Sequence, residues 1–215
     1  MANGKRLFVF DWDGTLCDSA DKIIAAMHSA ADELKLPQLT DDCIREIIGL
    51  GLPIAIDRLY SGLDRKQNAL MCDAYSRHFV AADASPCSLF PHAETTLAAL
   101  IDSGHEIAVA TGKTRKGLDR MLRIQGMTTL FHSTRCADET LSKPNPLMLN
   151  ELLAERHFSA DKAFMIGDTT FDMEMGQRAG VANVAVDYGA HHIDRLKAFS
   201  PVLSVSNLKQ LLTLI

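Results

Sequence analysis

The chain has 215 residues, 47% of them hydrophobic and 23% charged, with a formal net charge of −5. That makes room for one sizeable core, or for a core plus a small insert, under an ordinary globular surface. No basic run marks a nucleic-acid binder, no apolar stretch is long enough to span a bilayer, and no signal-like apolar region opens the sequence.

Leu7 to Phe10 has the composition of a buried strand, and the run stops at Asp11. Asp13, Gly14 and Thr15 follow as turn chemistry. Carboxylates at the end of a buried strand are costly unless a metal, a cation or hydrogen bonds answer them. The simpler alternative is that they cap the next helix. Helical spacing then carries Ile23, Ile24, Met27, Ala30, Ala31 and Leu34 towards Pro37. Thr40 caps a second helix with Ile44, Ile47 and Ile48 on its apolar face, interrupted by Gly49-Leu50-Gly51. A third helix is predicted over about 53–60 and a fourth over about 64–82, the latter with Leu70, Met71, Ala74, Tyr75 and Phe79 as its inner face. No strand is predicted between residues 17 and 86, and Pro86 closes this helical block.

The pattern then alternates. A helix over about 92–103 closes at Gly104, and a strand over 106–110 ends in Thr111-Gly112-Lys113. A helix over 115–125 stops at Gly126, and a brief strand is predicted over 130–132. A helix over 146–157 precedes a strand over 163–166, which runs into Gly167-Asp168-Thr169-Thr170. A helix over 171–179 stops at Gly180. Strands over 183–186 and 202–205 and a last helix over 207–214, capped by Ser206, complete the chain. Strands separated by helices give an α/β fold, a doubly wound parallel sheet with right-handed crossovers. The expected organisation is a Rossmann-like core, residues 1–16 and 87–215, with an all-helical cap inserted over 17–86. The five cysteines are scattered, with no Cys-x-x-Cys pair, which fits reduced thiols and a cytoplasmic location.

In open α/β sheets, ligands bind beyond the carboxyl ends of the strands. Three strands here end in polar clusters, and a fourth cluster, Ser142-Lys143-Pro144-Asn145-Pro146, precedes a helix. Asp11 and Asp168 would form a hard-oxygen pair suited to Mg²⁺. Thr111, neighbouring backbone N–H groups and Lys143 would hold phosphate oxygens. Taken singly, Lys143 is a solvated lysine, Thr111 a helix cap, and Asp172 a first-turn acid. Lys113 is expected at the surface, and His191-His192 lacks a partner at ligand spacing.

Asp11-Trp12-Asp13-Gly14-Thr15-Leu16 resembles the first motif of the haloacid dehalogenase superfamily. Thr111 after its strand, Lys143 before Pro144, and Gly167-Asp168-Thr169-Thr170-Phe171-Asp172 resemble the second, third and fourth. A helical insert between the first two motifs is the arrangement of the phosphoglycolate-phosphatase-like branch. The resemblance implies that Asp11 is a nucleophile that becomes an aspartyl-phosphate, and that Asp13 is the general acid and then the base. It implies Mg²⁺ held by Asp11, Asp168 and the backbone carbonyl of Asp13. The transferring phosphoryl group would be bound by Asp11, Trp12 (through its backbone N–H), Asp13, Thr111, Gly112 and Lys143, with Asp172 orienting Lys143 or a metal-bound water.

The expected activity is Mg²⁺-dependent hydrolysis of a small phosphorylated metabolite, with 2-phosphoglycolate as the leading substrate. A broad-range sugar-phosphate or nucleotide phosphatase, a pyrophosphatase, a sugar phosphomutase and a non-catalytic phosphate-binding protein are the alternatives. Dehalogenases of this branch resemble sequences with Tyr at position 13, so Asp13 disfavours that chemistry. A phosphonate hydrolase needs a desolvated cap lysine, and Lys22, Lys35 and Lys66 have polar surroundings. Arg45, Gly49 and Gly51 resemble the cap segment that faces the active site in phosphoglycolate phosphatases. They read equally as a surface arginine and a helix stop.

Overall fold

All four residues of β1 (Leu7–Phe10) are buried, because this strand lies at the centre of the sheet and has neighbours on both faces. Its side chains alternate: Leu7 and Val9 pack with Met148, Leu152 and Met165, while Phe8 and Phe10 pack with Leu97, Leu100 and Ile166. Burying each such side chain contributes roughly 1.5–3 kcal/mol. The structure, a computed structural model, describes residues 4–82 and 87–215.

The sheet is six-stranded and parallel. After β1 it contains β2 (Glu106–Thr111), β3 (Ser133–Cys136), β4 (Ala163–Gly167), β5 (Ala182–Val186) and β6 (Leu203–Val205), in the order β3-β2-β1-β4-β5-β6. Order reverses at β1, so the crevice beyond its carboxyl end is the switch point of a doubly wound fold. After β1 the chain leaves the sheet and, among the described residues, builds a block of four helices before it returns through α5 to β2: α1 (Ala20–Glu33), α2 (Asp41–Arg45), α3 (Leu52–Leu59) and α4 (Arg65–Ala81). These share their own apolar core, in which Met27, Ile44, Ile56 and Met71 are almost wholly buried. The remaining helices are α5 (Ala93–Asp102), α6 (Arg115–Ile124), α7 (Leu147–Arg156), α8 (Thr170–Ala179) and the short α9 (Ile193–Lys197).

The two linkers between sheet and helical block run side by side. Asp18 N–H donates to Ser88 O and Phe90 N–H to Leu16 O, both at 2.9 Å. The block's predicted end at Pro86 lies outside the described residues. Differences from the periodicity are local. The third strand forms at Ser133–Cys136, just after the predicted 130–132, because its Ala108–Ser133 to Thr111–Cys136 register puts Thr134 and Arg135 at a half-exposed edge with no apolar signature. The second helix ends at Arg45, and Ile47 and Ile48 are buried in the turn that follows. The last helix is a 3₁₀ segment, Leu208–Leu214, with Asn207 in the N-cap position instead of Ser206. No helix among the described residues is long and apolar enough to cross a membrane.

Candidate active site

Three strand ends and one loop meet at the switch point. Asp11 continues β1 by donating its N–H to Ile166 O at 2.9 Å, which brings its side chain out beyond the sheet edge. Its Oδ1 accepts from Trp12 N–H at 2.7 Å and from the Lys143 ammonium at 2.7 Å. Lys143 also donates to Asp172 Oδ1 at 2.6 Å. Asp172 sits in the first turn of α8, where its Oδ2 accepts from Thr169 N–H and hydroxyl and so closes a capping box. Asp168, at the end of β4, accepts from the Thr15 hydroxyl and from Ala190 N–H, each at 2.7 Å. Gly14 makes this approach feasible: its φ is +82°, and a side chain there would collide with the Asp168 carboxylate.

The charge count does not close. Asp11, Asp168 and Asp172 each present a carboxylate oxygen, and these oxygens lie within 4.8 Å of one another. One ammonium answers three carboxylates, and all four side chains are buried. Burial raises the Asp11 carboxyl well above its ordinary value; Lys143 opposes this, and Asp172 and Asp168 add to the rise. Asp168 is pushed up to about 7 by burial first and by Asp172 second. Burial works against the Lys143 charge, but Asp11 and Asp172 outweigh it and hold its pKa above the ordinary lysine value. Asp11 Oδ2 is buried without a hydrogen-bond partner among the described residues. A surplus of buried, hard oxygen donors with one left unanswered fits a divalent cation.

Asp13 faces elsewhere. Its Oδ1 accepts from the Ser19 hydroxyl at 2.6 Å and pairs with the Lys113 ammonium at 2.9 Å. Lys113 is therefore not the surface lysine that the sequence predicts: its side chain is 11% exposed. It is covered by the Phe79 ring of α4, 4.8 Å from the ammonium. Ser19 and Lys113 are the polar residues that pattern reasoning missed. The available signal was that β2 neighbours β1, so a lysine two residues beyond Thr111 falls beside Asp13.

Thr111 is the last residue of β2, and its Oγ1 accepts from Lys113 N–H at 3.2 Å. At Gly112 a Cβ would lie 2.5 Å from Leu50 O and 2.7 Å from Gly49 O, so only a glycine lets the cap loop rest on this strand end. Gly51 N–H donates to Ser142 Oγ at 2.8 Å, beside Lys143. His191 has Nδ1 against Thr170 N–H at 3.0 Å and Nε2 at 3.3 Å from Glu46 O, which makes it a tie between core and cap. Burial lowers its pKa, consistent with a neutral ring. Gly49 and Gly51 thus touch the core. Arg45 does not join them: its guanidinium lies 3.8 Å from the exposed Asp21.

Comparison with known proteins gives a consistent picture. Residues 8–186 match a family model described as haloacid dehalogenase-like hydrolase. A phosphoglycolate phosphatase of Vibrio parahaemolyticus is 27% identical over 218 residues, covering 98% of this chain and 96% of the relative. A Dickeya dadantii protein named "Probable phosphatase IndB" is 33% identical, over 96% and 91% of the two chains. The solved structure of a haloacid dehalogenase-like hydrolase from Bacteroides fragilis superposes with a TM-score of 0.90 at 26% identity, over 97% of this chain and 100% of that one.

Proposed function

The chain belongs to the haloacid dehalogenase-like hydrolase family and is a phosphoric monoester hydrolase; on that premise we propose that it hydrolyses a small phosphorylated metabolite through an aspartyl-phosphate. The observation that carries the reading is the unbalanced cluster of Asp11, Asp168 and Asp172 around Lys143, with Asp13 beside it.

In this proposal the Asp11 carboxylate attacks phosphorus, and the bond from phosphorus to the ester oxygen breaks. Asp13 gives its proton to the departing alkoxide. A water then attacks the phosphoryl group, Asp13 takes the water's proton, and phosphate and free Asp11 result. The sum is ester plus water to alcohol plus phosphate. Lys143 and the backbone N–H groups around Thr111 and Gly112 bind the phosphoryl oxygens. Asp172 holds Lys143 in place, and Trp12 N–H fixes the Asp11 rotamer. Asp11, Asp168 and the Asp13 carbonyl would hold Mg²⁺, which when bound screens the carboxylates from the anionic substrate.

2-Phosphoglycolate is the substrate in the names of several relatives. The Arg45 clamp expected for its carboxylate lacks support, given where that side chain lies. The test of the reading is p-nitrophenyl phosphate hydrolysis with and without Mg²⁺. Expected is activity that a chelator abolishes and Mg²⁺ restores, together with trapping of radiolabelled phosphate on Asp11. Full activity after exhaustive metal removal would overturn the metal assignment. No hydrolysis of any monoester in the presence of Mg²⁺ would overturn the phosphatase.

A further inference from the structure

A cavity of about 320 Å³ lies between the cap and the core. It begins at Asp13, Gly112 and Lys113, beside the phosphoryl site, and extends away from the sheet. The buried Asp11 and Lys143 are not part of its wall. In the proposed mechanism Asp13 serves the leaving oxygen, so this space is where the rest of the substrate must sit.

Its chemistry is one-sided. The cap wall is made by Ile23 and Met27 of α1, Ile47 from the turn after α2, Leu52 of α3, and Tyr75 and Phe79 of α4. The core face is polar and cationic: Lys113, Thr114, Lys116 and Arg120, from the end of β2 and the first turns of α6, line it. The helical periodicity marks Ile23, Met27, Tyr75 and Phe79 as inward residues, but part of each faces this space instead of another side chain. Sites that grip a small dicarboxylate or a sugar present converging donors, and hydroxyl-rich ligands leave buried polar groups unpaired where donors and acceptors are missing. Among the described residues, the cap wall has Ser76 as its one aliphatic hydroxyl and no cation, so it offers neither pattern, and the cations lie on the core face. Arg45, the cap cation expected to bind a carboxylate, lies with Asp21 outside the wall.

Size points the same way. The cavity is many times the roughly 10–15 Å³ that one water requires. The glycolyl part of 2-phosphoglycolate adds only four non-hydrogen atoms beyond the ester oxygen and leaves most of that space unfilled. We propose that the enzyme selects phosphate monoesters whose leaving alcohol carries an apolar, ring-sized body that fills this cavity against the cap. This rests on the phosphomonoesterase reading and specifies its substrate class.

The experiment compares alkyl phosphates with similar reacting centres: ethyl phosphate, 2-phosphoglycolate and 2-phenylethyl phosphate, with p-nitrophenyl phosphate as an activated reference. A single methylene in an apolar pocket is worth about 10–200-fold, so kcat/KM for 2-phenylethyl phosphate should exceed that of the other two alkyl esters by about two orders of magnitude. Ala55, on α3 in the same wall, supplies the variant. Ala55→Leu narrows the cavity and should cut the phenylethyl-to-ethyl ratio by about tenfold in protein whose melting temperature shows it folded. The wild-type series decides the matter if that variant fails to fold. Equal or higher kcat/KM for 2-phosphoglycolate, with p-nitrophenyl phosphate turned over, would overturn the apolar selection and leave the phosphatase standing. No turnover of any of the four would overturn the phosphatase itself, and this inference with it.

Discussion

The two edges of the sheet carry charge in opposite ways. At the carboxyl edge, Asp11, Asp168 and Asp172 cluster in a fully buried pocket with one ammonium, which pairs with Asp11 and Asp172 and leaves Asp168 to hydrogen bonds from Thr15 and Ala190. At the amino edge, Glu106 opens β2 and is answered by two cations, Lys5 at 2.7 Å and Arg156 at 2.6 Å. Glu106 is held down to about 2, by its hydrogen bond from Arg156 first, and Lys5 helps. Asp11 and Asp168 are pushed up. The lower, amino edge therefore stabilises its charged form, and the upper, carboxyl edge holds charge that burial disfavours. Stability alone would not retain the second arrangement, which marks it as a site.

Neutralising one charge at each edge should separate them most clearly. Asp11→Asn removes the attacking carboxylate and keeps its shape. Activity should fall by about four to six orders of magnitude, as with loss of other nucleophiles. In the absence of metal, its melting temperature should hold or rise, because burial, Asp168 and Asp172 all oppose the charge that is lost. Calorimetry of metal-free protein and a phosphatase assay check both halves. A folded Asp11→Asn protein with normal turnover would end the nucleophile assignment. A fall of several degrees would mean that the Lys143 pair outweighs the repulsion, and that the two edges are alike.

The strand-end carboxylates were legible in the sequence because a buried apolar run that stops at an acid has few structural uses. The order of strands and helices was legible from hydrophobic spacing. What stayed hidden depends on tertiary contact. β3 slips past its predicted position because edge pairing, not composition, sets it. The five-residue α9 is too short to show a period. Lys113 is covered by Phe79, a residue on another element whose position no local pattern reports. The cap cavity was hidden for a related reason: residues lining a cavity and residues packing a core have the same apolar spacing.

Lys113 gives an intermediate effect. It touches Asp13, the proposed acid, and so acts as a positioning residue. Lys113→Met should lower kcat for an alkyl phosphate by about tenfold or somewhat more, a fraction of the 10²–10⁴ that acid–base catalysis supplies. KM should change little. p-Nitrophenyl phosphate, whose leaving group needs little protonation, should lose much less, and Lys113→Arg should recover part of the alkyl-ester rate. Equal losses on both esters would assign Lys113 to phosphate binding or to cap packing against Phe79.

The smallest effect belongs to the lower edge, and it carries a pH signature. The Glu106 carboxyl is depressed from 4.5 to about 2 in the fold. A depressed acid contributes stability above its unfolded pKa and loses it as pH falls through the folded value. At about 1.4 kcal/mol per pKa unit the ceiling is near 3 kcal/mol, but Lys5 is 57% exposed and Arg156 29%, so solvent screening leaves about 1–2. Glu106→Gln should therefore lower the melting temperature at pH 7 by roughly 3–6 °C. The gap between wild type and variant should begin to close below about pH 4.5, fall to less than half by pH 3, and vanish near pH 2. Catalytic constants at pH 7 should stay as they are, because Glu106 lies at the far edge of the sheet from Asp11. A gap that persists unchanged to pH 3 would mean that Glu106→Gln acts through packing instead of charge. A variant more stable than wild type at pH 7 would place the lower edge with the upper one and remove the contrast between them.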